Sequence, residues 1–367
     1  MDFSTALTVM IVMAMLIMGV SISLNSAFDK KRKIYSWLLA ACIVVCSICE
    51  WAGIKLQGFD TNTIKLHIAV KGIELSLAPF VGIIPAYVIR KRNKNNVIDW
   101  LIFSVLAANI ILEIASAFSG FIYNVDESNY YHHSTFYFIY YIAYGFGMAY
   151  FIYTIVRFSM HKRASFLVPN LLTAIFIVVS LGIYIIWEGI EMIDWLAICI
   201  ASIFLLKFYG DVLSNTDGLT DVLNRMAFEN AIKNVSYETT VIYFDVNEFK
   251  QVNDKYGHRF GDECLIKVAR NLKKAYGKYG KIYRYGGDEF CVILKKRKVD
   301  VNLLNEKFNK LNSECLLEDA RFPGVSLGSA AYNPETDEIR DVLEKADQEM
   351  YKNKEIAHQR TIKQQEI

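Results

Sequence analysis

Seven apolar stretches crowd the first 210 residues, at 3–24, 34–56, 65–89, 97–118, 134–158, 166–187 and 193–209. Each approaches the roughly 20 residues that carry a helix across a bilayer. A chain segment built this way is committed to a multi-pass α-helical membrane domain, because only helices or closed barrels satisfy backbone polar groups in lipid. The first stretch has neither a basic leader nor a small-residue cleavage site. It reads as a retained span rather than a signal peptide.

Loop charge sets the orientation. Lys30-Lys31-Arg32-Lys33, Arg90-Lys91-Arg92 with Lys94, and Arg157 with Lys162 and Arg163 mark alternate loops, while 57–64, 119–133 and 188–192 hold no Lys or Arg. The excess of Lys and Arg in cytoplasmic loops places the N-terminus outside and everything after residue 210 in the cytoplasm, the odd number of spans agreeing. The expected location is the cytoplasmic (inner) membrane, with lipid as the partner of the spans.

Ionisable residues interrupt the spans: Glu50 and Lys55 in the second, Lys71 and Glu74 in the third, Glu113 in the fourth. Charge in hydrocarbon is costly and faces the bundle interior or a wet cavity. Lys71 and Glu74, three apart, can pair on one helix face. Two readings stand: an outward-facing pocket for an unknown sensory ligand, with His132 and His133 contributing from the outer loop, or internal ion pairs that fix packing. The tyrosines of the fifth span suit packing and interfacial anchoring.

The composition changes after residue 210. The first part carries 15 Lys/Arg and 12 Asp/Glu; residues 211–367 carry 25 and 26, the mixture of a soluble domain. Neither imbalance suits nucleic acid as a partner. Seven cysteines, four within apolar runs, form no disulfide framework and point to a reducing compartment for the second half. The pair Cys46 and Cys49 reads as small apolar packing rather than a redox motif. A linker of only 211–216 joins the halves, and Gly210 stands where the last span could break.

Within the second half, Arg284-Tyr285-Gly286-Gly287-Asp288-Glu289-Phe290 places two glycines and two acids between apolar runs. That pattern predicts a hairpin whose turn uses the positive φ open to glycine, with bare backbone at Gly286 and Gly287 for a ligand to approach. By itself it reads as a surface hairpin with acids for solubility. Upstream, Asn224 caps a helix running to about Lys233, and Thr239–Phe244 is a buried strand ending on Asp245, the strand end where α/β sheets place ligands. Helices over about 260–275, 300–313 and 338–354 and a strand near 324–331 complete an α+β pattern around a mixed sheet.

Taken together, Asp217…Leu219-Thr220…Asn224-Arg225, Asp245-x-Asn247-x-Phe249-Lys250-x-x-Asn253-Asp254-x-x-Gly257-His258-x-x-Gly261-Asp262, the glycine–acid turn, Ser326-x-Gly328 and Ala346-Asp347…Tyr351-x-x-Lys354 resemble a GGDEF domain, the catalytic domain of diguanylate cyclases. The resemblance spans about 214–360, with the domain proper expected at 217–360 and a tail at 361–367. It implies a nucleotidyl-cyclase-like α+β fold with helices flanking the sheet, condensation of two GTP to cyclic di-GMP, and a homodimer. It implies Mg²⁺ or Mn²⁺, two ions per site, held by Asp245, the Val246 carbonyl and Asp288. Glu289 either adds to that shell or takes the hydroxyl proton. By the same resemblance Asn253 and Asp262 read guanine, Leu219 and Leu265 wall the base, Lys250 and Lys354 meet the triphosphate, and Phe249, Gly286 and Gly287 shape the pocket. A carboxylate at Asp262 accepts from the N1–H and amino group of guanine, a donor pair that adenine lacks. The seven-span layout resembles the N-terminal sensor regions of some bacterial histidine kinases, on span count, orientation and attached domain.

Four departures from the family pattern stand out, the first being Asn247 where a second Asp is common, outside the expected metal positions. Asp221 takes a usual glycine position, His358 a usual phosphate-binding arginine, and Gly277-Lys278-Tyr279-Gly280 the place of the inhibitory Arg-x-x-Asp. The last implies no product inhibition through that site. A rival reading is a non-catalytic nucleotide-binding module on a receptor, but such modules lose the signature acids that this chain keeps.

Overall fold

The structure, a computed structural model, describes residues 2–90, 97–162, 172–173, 175–176, 179, 192–295 and 299–365. The chain divides into two compact units, Met1–Val212 and Leu213–Ile367.

The first unit is helical. Helix α1 (Phe3–Leu24) starts on the Asp2 carboxylate, which accepts from the Thr5 amide at 3.1 Å, and α2 (Lys30–Leu56) on Asp29, which accepts from the Arg32 amide at 2.8 Å. These side chains satisfy amides that a helix start leaves open. Then follow α3 (Ile64–Ile89), α4 (Val97–Ser119), α5 (Phe138–Lys162) and α6 (Ile193–Ser214). Among the described residues six helices are long and apolar enough to cross a membrane. The span expected at 166–187 lies outside the described residues but for 172–173, 175–176 and 179.

Polarity along α1 is inverted relative to a water-soluble helix. Met10, Met13, Leu16 and Ile17 are exposed while Ser4 and Thr8 are buried. A large apolar outer face of this kind needs an apolar surrounding. Between α4 and α5 the chain forms a short antiparallel hairpin, β1 (Tyr123–Val125) and β2 (Tyr131–His133), which the sequence pattern did not announce. At the other end, α6 runs unbroken through Gly210 to Ser214, so the expected break is absent and most of the expected 211–216 linker is helix. The reason is local packing: a Cβ at Gly210 would lie 2.9 Å from the Phe28 ring, so glycine makes room for an aromatic neighbour.

The second unit begins with α7 (Arg225–Lys233), capped by Asn224 at 3.0 Å from the Ala227 amide. Its sheet contains β3 (Thr239–Val246), β4 (Gly280–Arg284), β5 (Glu289–Leu294) and β6 (Val325–Tyr332) in the order β4-β5-β3-β6. Every ladder in it is antiparallel. The parallel element expected of a mixed sheet is a single bridge from Leu223 to Tyr283.

Successive strand residues alternate between two cores. Ile242, Phe244, Val246, Phe290 and Val292 pack against α9 (His258–Tyr276) and α10 (Val301–Glu318). Val241, Tyr243, Cys291 and Ile293 pack with Phe228 of α7 and with Ala346 and Met350 of α11 (Ile339–Gln365). The same alternation turns Asp245 and Glu289 toward α11. In this unit α8 (Phe249–Tyr256) escaped the sequence reading, a short polar helix whose start, Glu248, is in the left-handed region at φ 54°.

Candidate active site

The site is built where β3 ends and β5 begins. Asp245 and Glu289 are directly opposed in the β3–β5 register, and the Val246 amide donates to the Asp288 carbonyl at 3.2 Å. Opposed like charges oppose strand pairing. Asp245 is 5% exposed, so its charge is also poorly hydrated. Burial pushes the Asp245 carboxyl up; the Lys354 hydrogen bond and charge pull it down, and Asp288 and Asp347 raise it further. For Glu289, burial and then the charges of Asp288, Asp245 and Asp347 push the carboxyl up. The sequence reading gave Asp347 no role, yet it belongs to this field of acids.

Lys354 answers that field. Its Nζ lies 2.7 Å from Asp245 Oδ1. Two features of α11 put it there. At Gly328, the helix backbone of Ala346–Met350 lies so close that any Cβ would collide with it. Flanking side chains then pin the helix to β6: Asn353 Nδ2 donates to the Leu327 carbonyl at 2.8 Å, and Glu349 accepts from the Ser329 amide at 2.6 Å.

The glycine–acid turn is a four-residue loop, 285–288, closed by the Tyr285 amide donating to the Glu289 carbonyl at 2.9 Å. Contrary to expectation, neither Gly286 nor Gly287 has positive φ. Glycine is used for space: a Cβ on Gly286 would lie 2.5 Å from Glu289 Oε2, and Gly287 is open. The turn is held from behind by Arg284. Its Nε and Nη2 donate to the Gly287 carbonyl at 3.1 and 2.6 Å, and its Nη1 reaches Asp217 Oδ1 at 3.1 Å. Asp217 also accepts from the Thr220 amide and hydroxyl at 2.8 and 2.6 Å. Burial pushes the Asp217 carboxyl up, but the Thr220 hydrogen bonds and the Arg284 charge outweigh it and hold it below the usual carboxylate range. Asp221, in the usual glycine position, adopts φ 56°, a conformation glycine takes freely. This strut was missed because Asp217 and Arg284 are 67 residues apart and neither is near the other in pattern.

The expected base-reading residues cluster around the α8–α9 junction. Asn253 packs its Oδ1 against Gly261, where a Cβ would collide with it. That oxygen is buried without a hydrogen-bond partner among the described residues. Asp262 and Lys250 are exposed, and Phe249 and Leu219 are half-buried against the core. Leu265 is 1% exposed, so it backs the site from inside the core and offers almost no wall of its own. His358 is not free to replace an arginine on phosphate: its Nδ1 lies 2.9 Å from Glu248 Oε1.

Among the described residues no three His, Cys, Asp or Glu side chains form a ready-made metal cage. The donors still fit a hard divalent cation. Asp245, Asp288 and Glu289 are oxygen ligands in excess of nearby positive charge, and Mg²⁺ takes a few carboxylates and completes its shell with water and phosphate.

Residues 214–360 match the family model "Diguanylate cyclase, GGDEF domain". The diguanylate cyclase DgcP of Escherichia coli strain K12 is 35% identical over 152 residues, 38% of this chain and 45% of that protein. The probable diguanylate cyclase DgcC of the same strain is 31% identical over 160 residues, 41% of this chain and 43% of that protein. The chain thus spans less than half the length of these curated relatives. The solved GGDEF domain of DgcB from Caulobacter crescentus in complex with c-di-GMP aligns with 39% of this chain and 91% of that one, at 25% identity and a TM-score of 0.34. With the family match containing the acid turn, residues 214–360 are a GGDEF domain.

Proposed function

We propose that the chain is a membrane-bound diguanylate cyclase. Two GTP condense to cyclic di-GMP: each 3′-hydroxyl forms a bond to the α-phosphorus of the other GTP, and two pyrophosphates leave. The observation that carries this reading is the opposition of Asp245 and Glu289 beside Asp288 and Lys354, inside the GGDEF match.

Each residue has a task in that reaction. Asn253 offers its unpartnered Oδ1, and Asp262 its carboxylate, to the edge of guanine. Lys250 and Lys354 meet the triphosphate as point charges. Gly286 and Gly287 let the nucleotide approach the backbone, and Arg284 keeps that backbone in place. Asp245, Asp288, Glu289 and the Val246 carbonyl would hold Mg²⁺ or Mn²⁺, two ions per site, whose charge would offset that of the phosphates and make the attacking hydroxyl more acidic. One domain binds one GTP, so two copies must face each other, and the homodimer is the catalytic unit.

The inverted polarity of α1 and the six long apolar helices support placing residues 1–212 in the cytoplasmic membrane. The Lys/Arg-rich loops support an outside N-terminus and a cytoplasmic cyclase domain. This unit biases the dimer in response to a signal. Lys71 bridges Glu50 and Glu74, the latter at 3.0 Å, which favours an internal ion network over an open pocket for these three residues.

The test uses the full chain in lipid nanodiscs, incubated with GTP and Mg²⁺ beside Asp288→Ala. The expected result is cyclic di-GMP from the wild type alone. Nucleotide binding without turnover by the wild type would instead establish the non-catalytic module.

A further inference from the structure

Among the described residues Glu50, Lys71, Glu74 and Glu113 are buried in the spans of the first unit, and three of them satisfy one another: Lys71 sits between Glu50 and Glu74. Glu113 does not share in this. It is 0% exposed on α4, and both carboxylate oxygens are buried without a hydrogen-bond partner among the described residues. One turn earlier on the same helix face, Asn109 is 2% exposed. Its Nδ2 donates to the Leu75 carbonyl of α3 at 3.2 Å, which fixes the amide and leaves Oδ1 as a second buried acceptor without a partner.

The surrounding groups offer no relief. From α3, Lys71 and Glu74 are engaged with Glu50, and His67 holds Asn129 Oδ1 through Nδ1 at 3.0 Å, while its Nε2 is buried without a partner among the described residues and makes no bond to Glu113. From β1, the Tyr123 hydroxyl donates to the Ile68 carbonyl at 3.1 Å. Ser116, on the turn after Glu113, accepts from the Ile122 and Tyr123 amides. From α5 and the residue before it, Tyr137, Tyr140, Tyr141, Tyr144, Tyr150, Tyr153 and Arg157 are ionisable, and none of these side chains bonds to Glu113.

Three acceptor oxygens with no donor, on a fully enclosed face, call for a positive or proton-donating group of minimal size. A bare carboxylate here would cost far more than the fold can supply, and such groups neutralise instead. One added proton answers both needs: it removes the charge and lets the Glu113 hydroxyl donate to Asn109 Oδ1. We propose that Glu113 and Asn109 form a proton-binding site inside the first unit, and that the proton is the ligand this unit is built to read. The inference rests on the membrane reading above. Loss of the proton leaves a charge that this packing cannot hold, so α4 must shift or admit water. Proton occupancy and helix arrangement are therefore linked.

The test is infrared spectroscopy of the full chain in lipid nanodiscs, which needs no cyclase activity and so stands apart from the proposed reaction. Wild type is expected to show the carbonyl stretch of a protonated carboxyl at neutral pH, fading as pH rises. Glu113→Gln should lose it. Asn109→Leu keeps the acid and should move the band to higher frequency, because the hydroxyl loses its acceptor. A wild-type minus Glu113→Gln difference spectrum without such a band overturns the site. An unmoved band in Asn109→Leu overturns the sharing with Asn109.

Discussion

Lys354 and Asp245 meet at 2.7 Å, a side chain of α11 on a carboxylate at the end of β3. The ammonium stands where the sheet concentrates negative charge, and it is also the group expected on the triphosphate. It therefore competes with a divalent cation for the same carboxylate. Lys354→Met should have two opposite effects. The KM for GTP should rise about tenfold, equivalent to roughly 1.4 kcal/mol. The Mg²⁺ concentration giving half-maximal thermal stabilisation should fall, because Asp245 is released to the ion. Steady-state kinetics and a Mg²⁺ titration of Tm check the pair. A KM increase with an unchanged Mg²⁺ midpoint would show that the ion pair does not compete with metal.

Arg284 acts through the turn it holds. Arg284→Leu removes two hydrogen bonds to the Gly287 carbonyl and one to Asp217. Hydrogen bonds to a charged group in a half-buried setting contribute about 1.5–3 kcal/mol, so urea unfolding should report a loss on that order. Misplacing the turn should lower kcat by about 10- to 100-fold, with KM changed less. The pH dependence has a definite sign. The folded Asp217 carboxyl lies below its unfolded value, so its stabilisation is present above the unfolded range near pH 4 and lost as pH falls through the folded value. Arg284→Leu should flatten that acid limb. A variant with wild-type acid sensitivity would mean that Thr220 alone holds Asp217.

Glu289 illustrates a site kept at the expense of stability. Its carboxyl faces Asp245 across the strands and is pushed up by burial and by three neighbouring acids. With the folded value raised, the folded state favours the proton, so ionisation weakens the fold as pH climbs above the unfolded range. Glu289→Gln in chelator at neutral pH should raise Tm by about 2 °C while cyclic di-GMP formation is lost. Added Mg²⁺ should raise the Tm of wild type more than that of the variant. A lower Tm for the variant would show that Glu289 is a structural partner rather than a strained one.

Much of this was readable in the sequence, and the failures have physical causes. Strand β3 and its terminal Asp245 followed from a β-branched, aromatic run, and α7 from its Asn224 cap, because each signal is local. The positive φ expected at Gly286 and Gly287 is absent, since a Gly-Gly pair signals positive φ and spare volume alike and only coordinates separate them. Helix α8 was hidden by its polar composition and by a left-handed start at Glu248. The Arg284–Asp217 strut and the Lys354–Asp245 pair join residues 67 and 109 positions apart, so no spacing rule could connect them. In the first unit the sequence grouped Glu113 with Glu50, Lys71 and Glu74, and only packing showed that three pair while one stands alone.

The orientation of the first unit can be measured independently of catalysis. Single cysteines placed at Ser128, in the loop poor in Lys and Arg, and at Glu335, in the cyclase domain, should react oppositely with a membrane-impermeant maleimide on intact cells of a strain lacking the native thiols in this chain. Ser128→Cys should label from outside, and Glu335→Cys only after the membrane is opened. Reversed labelling would overturn the topology inferred from loop charge.

Control by product should be absent. The four residues in the place of an inhibitory Arg-x-x-Asp are Gly277-Lys278-Tyr279-Gly280, with neither guanidinium nor carboxylate at the outer positions. The backbone explains why these glycines are not readily exchanged. The Gly277 amide donates to the Lys273 carbonyl at 3.0 Å, and a Cβ there would collide with that same carbonyl. At Gly280, the first residue of β4, a Cβ would lie 2.6 Å from the Ile293 carbonyl across the ladder. Cyclic di-GMP added to the cyclase assay should therefore produce no non-competitive inhibition. Installing Gly277→Arg with Gly280→Asp should lower Tm without restoring control, because both side chains must first displace backbone. Strong non-competitive inhibition of the wild type would mean that product binds elsewhere on the domain, and inhibition restored by the double variant would mean that the turn yields more easily than its contacts indicate.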